Sequence, residues 1–433
     1  MQCETAEVNE TPLGQIKENK MKRLLLIVLP LLFIVGVLTI LTASCTPAPK
    51  EVAERKTIWP GENWATSNPE TMGMSSKVIQ DLVKELEDGT YGSVDQFLFI
   101  KNGMVIADYK FDVNYKAILE EDGDNHPEGA VAQGGGQYNY DDTNWHPYYN
   151  GTSLHSLQSV TKSVTSAALG VAVKKGHIES ENVNIAQFFT DYEYDLSDFR
   201  KSSITLEDFL TMRSGIDWNT SGGYADGEHS TVLLEASDRW IQFVLDRPMD
   251  ETPGTIWEYN DGVSVLLGKI VRQATGQRID EWARENLFNP IGINDFYWKI
   301  TPDGEADTEG GLYLSTHDLA RIGYLFLKEG EWEGKQILSK EWVKKSVTPI
   351  VPDVRPNNDT VDPGYGYQWW IPSFGEGKPT IYAGNGYGGQ YVMVAPEYDI
   401  VVVFNGWALH RRGKKSTKRV LENIIIPSLK DGK

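Results

Sequence analysis

The stretch Ser159-Val160-Thr161-Lys162 opens the segment of the chain that decides its fold. From residue 160 to residue 174 small and apolar side chains predominate, which predicts a buried helix. Residues three positions apart share one face of a helix, so the Ser159 hydroxyl and the Lys162 amine are predicted neighbours. A lysine on a buried helix needs a partner or a chemical role, because burying an isolated charge is costly.

Ser159 is the only serine in the chain that is followed three positions later by lysine. A serine hydroxyl is a weak nucleophile until a nearby base or cation lowers the cost of removing its proton. The same spacing also occurs on ordinary surface helices, but the apolar residues that follow favour a buried helix. We therefore predict that Ser159 is a nucleophile and that Lys162 lies beside it.

A second segment, residues 253–262, reads Pro-Gly-Thr-Ile-Trp-Glu-Tyr-Asn-Asp-Gly and precedes another apolar helical stretch. A loop-to-helix junction lets a side chain point into a cleft, and Tyr259 lies at this junction. The alternative for Tyr259 is an interface aromatic residue whose hydroxyl has an ordinary hydrogen-bond partner.

The other patterns predict an α+β fold. A helix at 75–86 and two strands within 96–111 precede a mostly helical region at about 159–330, and strands return within 368–405 before a closing helix at 415–426. We expect an antiparallel sheet that is built from both chain ends and flanked by helices, with an inserted all-helical region and a cleft at the junction. The acidic residues 122–125 resemble a calcium loop only faintly, and a solvated loop is preferred.

Charge and cysteine content narrow the function classes. The chain of 433 residues has 61 acidic and 41 basic residues, a net charge of -20, which argues against nucleic acid as a partner and favours neutral or cationic substrates. Its two cysteines, Cys3 and Cys45, lie near the start, so the body cannot hold an internal disulfide or a cysteine metal site. The seven histidines lack metal-ligand spacing, and no metal is predicted.

The first 45 residues have the layout of an export signal. Met21-Lys22-Arg23 precedes an apolar run at 24–41 and then Thr42-Ala43-Ser44-Cys45. This resembles a bacterial lipoprotein signal, which implies cleavage and lipidation at Cys45, with residues 46–60 as a tether. The alternative is an uncleaved transmembrane anchor. Both place the body outside the cytoplasm, in the cell envelope or secreted, and both leave open a translation start at Met1 or Met21.

The quoted segments resemble the serine β-lactamase and penicillin-binding-protein superfamily over about 64–427. In its class C and esterase branches Pro-Gly, an aromatic residue, Tyr-x-Asn and a Leu-Leu-Gly helix occur in this order, and Ser-x-x-Lys is a superfamily motif. Tyr259 falls on the catalytic tyrosine, and Asp261 replaces the usual asparagine. Residues 204–215 and 311–321 look like framework segments of the same family.

The resemblance implies a β-lactamase/transpeptidase-like hydrolase domain at 61–427 that works by acyl transfer without a cofactor. Tyr259 would take the proton of Ser159, and water would release the acyl-enzyme. Residues 384–390 correspond to the family's Lys-Thr-Gly strand edge but contain no lysine. The resemblance assigns the oxyanion hole to the backbone amides of Ser159 and Tyr387, and contact with substrate to Asn385 and Gly386.

The missing lysine favours linear amides or esters as substrates, because β-lactams and peptidoglycan stems present a carboxylate to that cation. Among the branches of the superfamily, the quoted segments most resemble those of the 6-aminohexanoate-dimer hydrolase and carboxylesterase branch. The alternatives are a D-Ala peptidase or β-lactamase, and a non-catalytic envelope receptor or scaffold.

A carboxylate at Asp261 is expected to face Lys162, raise the pKa of that lysine and leave Tyr259 as base. Otherwise Asp261 caps the helix that follows.

Overall fold

The computed structural model describes residues 57–114, 117, 151–221, 227–354, 363–406 and 413–429. The predictions for the signal, for Cys45, for most of the tether and for the acidic loop 122–125 lie outside these residues. Within the described part of the chain, no helix combines the length and the apolar character needed to cross a membrane.

An eight-stranded, mostly antiparallel sheet organises the body, and both ends of the chain contribute to it. Its strand order is β1-β3-β2-β13-β12-β11-β10-β9, and only the β1–β3 pair is parallel. The strands of the described residues, in chain order, are β1 (Ala65–Thr66), β2 (Val94–Lys101), β3 (Met104–Lys110), β4 (His155–Ser156), β5 (Tyr297–Trp298), β6 (Leu312–Leu314), β7 (Glu331–Trp332), β8 (Lys335–Gln336), β9 (Gly364–Tyr365), β10 (Trp370–Ser373), β11 (Ile381–Gly386), β12 (Gln390–Ala395) and β13 (Ile400–Gly406).

Two neighbouring inner strands, β2 and β13, show why the chain ends meet. Along β2, Leu98 and Ile100 enter the apolar cluster on one face of the sheet, whereas Phe97 and Phe99 enter the cluster on the other. Successive side chains of a strand point to opposite faces, so a strand buried on both faces has apolar residues at consecutive positions, as residues 97–100 do. Strand β13 has the same character and pairs with β2 along its length. The predicted sheet built from both chain ends is confirmed.

Helices cover both faces of the sheet. The side chain of Ser75 caps the first helix, and Asn260 caps the seventh by accepting a hydrogen bond from the Val263 N–H at 3.0 Å. The α-helices of the described residues are α1 (Ser76–Glu87), α2 (Val160–Lys174), α3 (Phe199–Ser203), α4 (Leu206–Leu210), α5 (Ser230–Glu235), α6 (Trp240–Asp246), α7 (Asp261–Thr275), α8 (Ile279–Ala283), α9 (Thr316–Leu327) and α10 (Lys340–Val347).

Two sequence-based expectations need correction. The inserted region is not all-helical, because β5 and β6 within it form a small three-stranded sheet with β4. A strand of two or three residues is too short to show the alternation of apolar and polar residues that predicts a strand. These strands form because Tyr313 of β6 pairs with Ser156 on one side and with Tyr297 on the other. The closing helix is also broken into short 3₁₀ and π turns at Thr417–Arg419, Leu421–Ile425 and Ile426–Ser428.

Close packing between β11 and the start of α2 creates the cleft wall. A side chain at position 384 would place its Cβ 2.8 Å from Val160 Cγ1, and one at position 386 would place its Cβ 2.4 Å from the Leu157 carbonyl oxygen. Only glycine allows both approaches. Gly384 and Gly386 therefore bring the strand edge against the turn that carries Ser159.

Candidate active site

Ser159 lies at the first turn of α2, at the wall of a cleft of about 760 Å³. The preceding residue, Gln158, has a φ of +49°, in the left-handed region that non-glycine residues rarely occupy. Such strained backbone is concentrated at functional sites and persists because surrounding packing holds it. Lys162 Nζ lies 3.1 Å from Ser159 Oγ, as the helical spacing predicts.

Lys162 is buried, with a side chain only 1% exposed, and its ammonium group is surrounded by oxygen atoms. Nζ lies 2.7 Å from Asp261 Oδ1 and donates a hydrogen bond to the Glu309 carbonyl oxygen at 2.6 Å. Burial by itself would lower the pKa of Lys162, but the charge of Asp261, the charge of Glu309 and the hydrogen bond to Asp261 outweigh it and raise the pKa above its ordinary value. Lys162 is therefore a permanent cation at neutral pH.

Asp261 pairs with Lys162 and does not cap its helix. The cap belongs to Asn260, and Asp261 is the first residue inside α7. Its other carboxylate oxygen accepts a hydrogen bond from Thr231 Oγ1 at 2.6 Å. Burial favours the neutral acid, but Lys162 and Thr231 overcome that effect and hold the pKa of Asp261 below its ordinary value. The carboxylate at this position thus faces the lysine, and the capping alternative is wrong.

Tyr259 completes the group of polar side chains at the nucleophile. Lys162 Nζ lies 5.1 Å from its ring centroid, and Tyr259 lines the same cleft as Ser159. Burial raises the pKa of Tyr259, the Asp261 carboxylate raises it further, and the Lys162 charge opposes both without cancelling them. The resting form at neutral pH is therefore the phenol.

A buried acid pair behind Lys162 was not foreseen from the sequence. Burial, together with the charges of Glu309 and Asp307 and the proximity of Glu309, raises the pKa of Glu235 well above its ordinary value. This environment favours the neutral form of Glu235. Glu309 Oε2 in turn lies 3.7 Å from Lys162 Nζ. No local pattern marks either glutamate, because the two meet only through tertiary packing.

Aromatic rings form the walls of the cleft. Trp370 stacks on Tyr259 with ring centroids 5.8 Å apart, and Trp257 packs against both rings. The sequence could have indicated this role of Trp257, because Trp257 lies in the segment 253–262, two residues before Tyr259. The strand-edge residues Asn385, Gly386 and Tyr387 line the same cleft as Ser159, as the resemblance implies.

His317 lies apart from this site. Its Nε2 is 2.9 Å from Asp108 Oδ2, and both side chains are about half exposed. The Asp108 hydrogen bond raises the pKa of His317 despite partial burial. Within the described residues, no group of three or more His, Cys, Asp or Glu side chains could hold a metal ion.

The chain belongs to the β-lactamase family, whose model, described as Beta-lactamase, matches residues 125–422. The superfamily resemblance of the motifs is thereby confirmed.

Two curated relatives and one solved structure illustrate the similarity. A 6-aminohexanoate-dimer hydrolase from Paenarthrobacter ureafaciens is 24% identical over 265 residues, which are 58% of this chain and 65% of that protein, just under two thirds of its length. A putative D-alanyl-D-alanine carboxypeptidase from Escherichia coli O157:H7 is 22% identical over 311 residues, or 58% of this chain and 68% of that protein. The structure of a putative 6-aminohexanoate-dimer hydrolase from Bacillus anthracis superposes with a TM-score of 0.60 and 18% identity, over 84% of this chain and 86% of that one.

Proposed function

We propose that the protein is a serine hydrolase that cleaves linear amides or esters through an acyl-enzyme. The observation that carries the proposal is the group formed by Ser159, Lys162 and Tyr259, with Ser159 Oγ 3.1 Å from Lys162 Nζ at the wall of the cleft. The relative described as a 6-aminohexanoate-dimer hydrolase supports the same reaction class.

The reaction begins when Tyr259, as phenolate, accepts the proton of Ser159 and Oγ attacks the substrate carbonyl carbon. The C–N or C–O bond breaks, and the leaving group takes the proton back from the Tyr259 phenol. Water then gives a proton to the Tyr259 phenolate and attacks the acyl-enzyme ester. The C–Oγ bond breaks, the acid is released, and Tyr259 returns the proton to Ser159 Oγ. Lys162 remains an ammonium group and stabilises the phenolate. The backbone amides of Ser159 and Tyr387 are the proposed oxyanion donors, each contributing roughly 3 kcal/mol.

Mass spectrometry after treatment with a fluorophosphonate tests this proposal directly. We expect one covalent adduct on the peptide that contains Ser159, together with hydrolysis of p-nitrophenyl butyrate. Failure of both, in protein that is folded by circular dichroism, would favour a non-catalytic receptor or scaffold.

The pH dependence of Asp261→Asn tests whether Tyr259 is the base. Because Asp261 raises the pKa of Tyr259, removing its charge lowers that pKa. Only the phenolate accepts a proton, so kcat/KM of the native protein should rise with pH towards the alkaline range. In Asp261→Asn this rising limb should move to lower pH by about 0.5–1 unit.

Asp238→Asn is the matched control for this shift, since Asp238 is an exposed aspartate that does not line the cleft. Its profile should superimpose on that of the native protein. A profile of Asp261→Asn that also superimposes would contradict the electrostatic role of Asp261.

Linear substrates are expected to be hydrolysed faster than β-lactams. Gly384 is packed against α2, so the strand edge carries no cation where a Lys-Thr-Gly strand would have its lysine. The measurement compares kcat/KM for p-nitrophenyl butyrate and short ω-amino amides with kcat/KM for a cephalosporin. Faster turnover of the cephalosporin, or stable acylation by fluorescent penicillin, would instead support a β-lactamase or D-Ala peptidase.

We also propose that the protein is attached to the cell envelope through lipid on Cys45. The charged start, the apolar run and the small residues before Cys45 support this. Cys45→Ser should abolish incorporation of labelled fatty acid and the mass increase of the mature N-terminus. A native protein whose unmodified N-terminus lies upstream of Leu24 would exclude the lipoprotein form.

A further inference from the structure

We propose that Gln390 is a positioning residue for the reaction, because its buried amide fixes the oxyanion turn, a name we give to Tyr387–Gly389. The inference rests on the proposed function, in which the Tyr387 N–H stabilises the negative charge that develops on the substrate oxygen. Gln390 is not among the described residues that line the cleft. It therefore acts on the substrate only through this turn.

Two consecutive glycines make the oxyanion turn adaptable. The turn has three residues and joins β11 to β12 between the paired residues Gly386 and Gln390. Gly388 and Gly389 have φ values of +76° and +100°, which glycine adopts readily. Glycine also loses more conformational freedom on folding than any other residue type. Local sequence preference thus does not hold the Tyr387 peptide groups in place, and a contact from outside the turn has to do so.

The side chain of Gln390 supplies this contact. Its Nε2 donates a hydrogen bond to the Tyr387 carbonyl oxygen at 3.3 Å, inside the turn. The same nitrogen donates to the Gly406 carbonyl oxygen at 2.5 Å, and Oε1 accepts a hydrogen bond from the Gly406 N–H at 3.2 Å. Gln390 is only 1% exposed. Breaking any of these bonds would leave a buried polar group unpaired, so the amide holds its partners in one arrangement.

Gly406 is a firm anchor for the turn. The backbone pairs between β12 and β13 end at Tyr391 and Phe404. Beyond this point the Gln390 amide bonds both backbone groups of Gly406, in place of further backbone pairs. Gly406 is the last residue of β13, which lies inside the sheet between β12 and β2. The oxyanion turn is thereby tied to an inner strand of the sheet.

This arrangement holds the oxyanion donor before the substrate reacts. Oxyanion donors lower the barrier because they already point to the place where charge develops and need not reorient. On one side of Tyr387, Gly386 is held by its close approach to the Leu157 carbonyl oxygen. On the other side, the bond from Gln390 holds the Tyr387 carbonyl group. Without that bond the turn would have to become ordered in the transition state, while substrate binding would be little affected.

Gln390→Met tests the proposal, because methionine has a similar length and makes none of the three hydrogen bonds. We expect kcat for p-nitrophenyl butyrate, per active site counted by complete fluorophosphonate labelling, to fall roughly 10- to 100-fold. KM should change by less than about threefold, since the lost interaction acts only in the transition state. The rising alkaline limb of the pH profile should not move, because Tyr259 and Asp261 keep their surroundings.

Inhibition by 1-butaneboronic acid separates positioning from stability. Ser159 Oγ adds to the boron atom and forms a tetrahedral adduct, in which a boron-bound oxygen takes the place of the substrate oxyanion. Its Ki should rise in Gln390→Met by about the factor by which kcat falls. A residue that served only stability would lower Tm and leave both kcat per active site and this Ki unchanged.

Gln390→Glu is a second variant, which decides the proposal if Gln390→Met does not fold. A protonated carboxyl group still donates one hydrogen bond and accepts another, and burial favours this neutral form. The variant should therefore keep more of the native kcat at acidic pH. Its kcat relative to that of the native protein should fall as pH rises, because a carboxylate would then face the carbonyl oxygens of Tyr387 and Gly406. A ratio that does not depend on pH would contradict the role of the amide.

Gln336→Met is the matched control. Gln336 Nε2 donates to the carbonyl oxygens of Glu329 and Leu338 at 2.7 and 2.6 Å, and Gln336 is not among the described residues that line the cleft. This variant should keep the native kcat and Ki. The proposal is overturned if Gln390→Met also keeps both, or if its kcat falls without a rise in Ki.

These results are distinguishable from failure of the proposed function. If Gln390→Met behaves like the native protein, native hydrolysis of p-nitrophenyl butyrate and labelling of Ser159 would still uphold a serine hydrolase. Loss of both in the native protein would refute the proposed function itself.

Discussion

Replacing Ser159 by alanine is expected to lower kcat/KM for p-nitrophenyl butyrate by at least about 10⁴-fold. The substitution removes the atom that forms the acyl-enzyme, so only slow attack by water remains. Lys162 keeps its contacts with Asp261 and with the Glu309 carbonyl oxygen. The free energy of unfolding should therefore change by no more than about 1 kcal/mol.

The measurement combines ester hydrolysis, fluorophosphonate labelling and thermal unfolding of the same preparations. Ser163→Ala is the matched control, because Ser163 lies on the same helix and donates a buried hydrogen bond to the Gln368 carbonyl oxygen at 2.6 Å. It should lose some stability but keep the label. Turnover or labelling at another serine in Ser159→Ala would end the assignment of the nucleophile.

The second large effect concerns stability. Lys162→Met should reduce the free energy of unfolding at neutral pH by about 3–5 kcal/mol, because the buried Asp261 carboxylate loses the cation 2.7 Å away. Methionine has nearly the length of lysine, so loss of packing is a minor part of this effect. Urea unfolding at several pH values measures it.

The pH dependence separates an electrostatic cause from a packing cause. In the native protein Lys162 lowers the pKa of Asp261, so this carboxylate stabilises the fold above its unfolded pKa, and the contribution is lost as pH falls through the folded value. In Lys162→Met the unpaired, buried carboxyl has a raised pKa, so acid relieves its cost. The stability gap between the two proteins should therefore narrow as the pH is lowered. A constant gap would indicate lost packing alone.

A double-mutant cycle gives the coupling between the two residues. Lys162→Met/Asp261→Asn should recover about 2–3 kcal/mol of the loss, because no unpaired charge remains. The corresponding cycle on Lys77 and Asp81, an exposed pair 2.8 Å apart on α1, should show little coupling. Equal coupling in both cycles would contradict the importance of burial for the Lys162–Asp261 pair.

Glu235 is a third buried acid in the region around Lys162, beside Glu309 and Asp261. Glu309 and Asp261 both approach Lys162, and a further ionised carboxylate nearby would leave excess negative charge in a low-dielectric region. Burial and the charges of Glu309 and Asp307 raise the pKa of Glu235, which favours its neutral form. The cation Lys162 thus has two acidic neighbours, and the environment disfavours a charge on the third acid.

Local patterns in the sequence were sufficient to predict most of the sheet and the helices around the site. The helix Val160–Lys174 and the strand Gln390–Ala395 occur at the predicted residues. Helical spacing also predicted that Ser159 and Lys162 are neighbours. These features depend on the period of the backbone over a few residues, which the amino-acid order displays directly.

Tertiary packing decided the rest. Asn260 caps α7, and Asp261, the next residue, lies inside the helix. A shift of one residue turns a helical side chain by about 100°, so the position of the cap determines that Asp261 faces Lys162. The approach of Glu309 to Lys162, and of residues 413–418 to the cleft of Ser159, joins segments that are far apart in the chain. No local period encodes such contacts, because they follow from how the sheet and its helices pack as a whole.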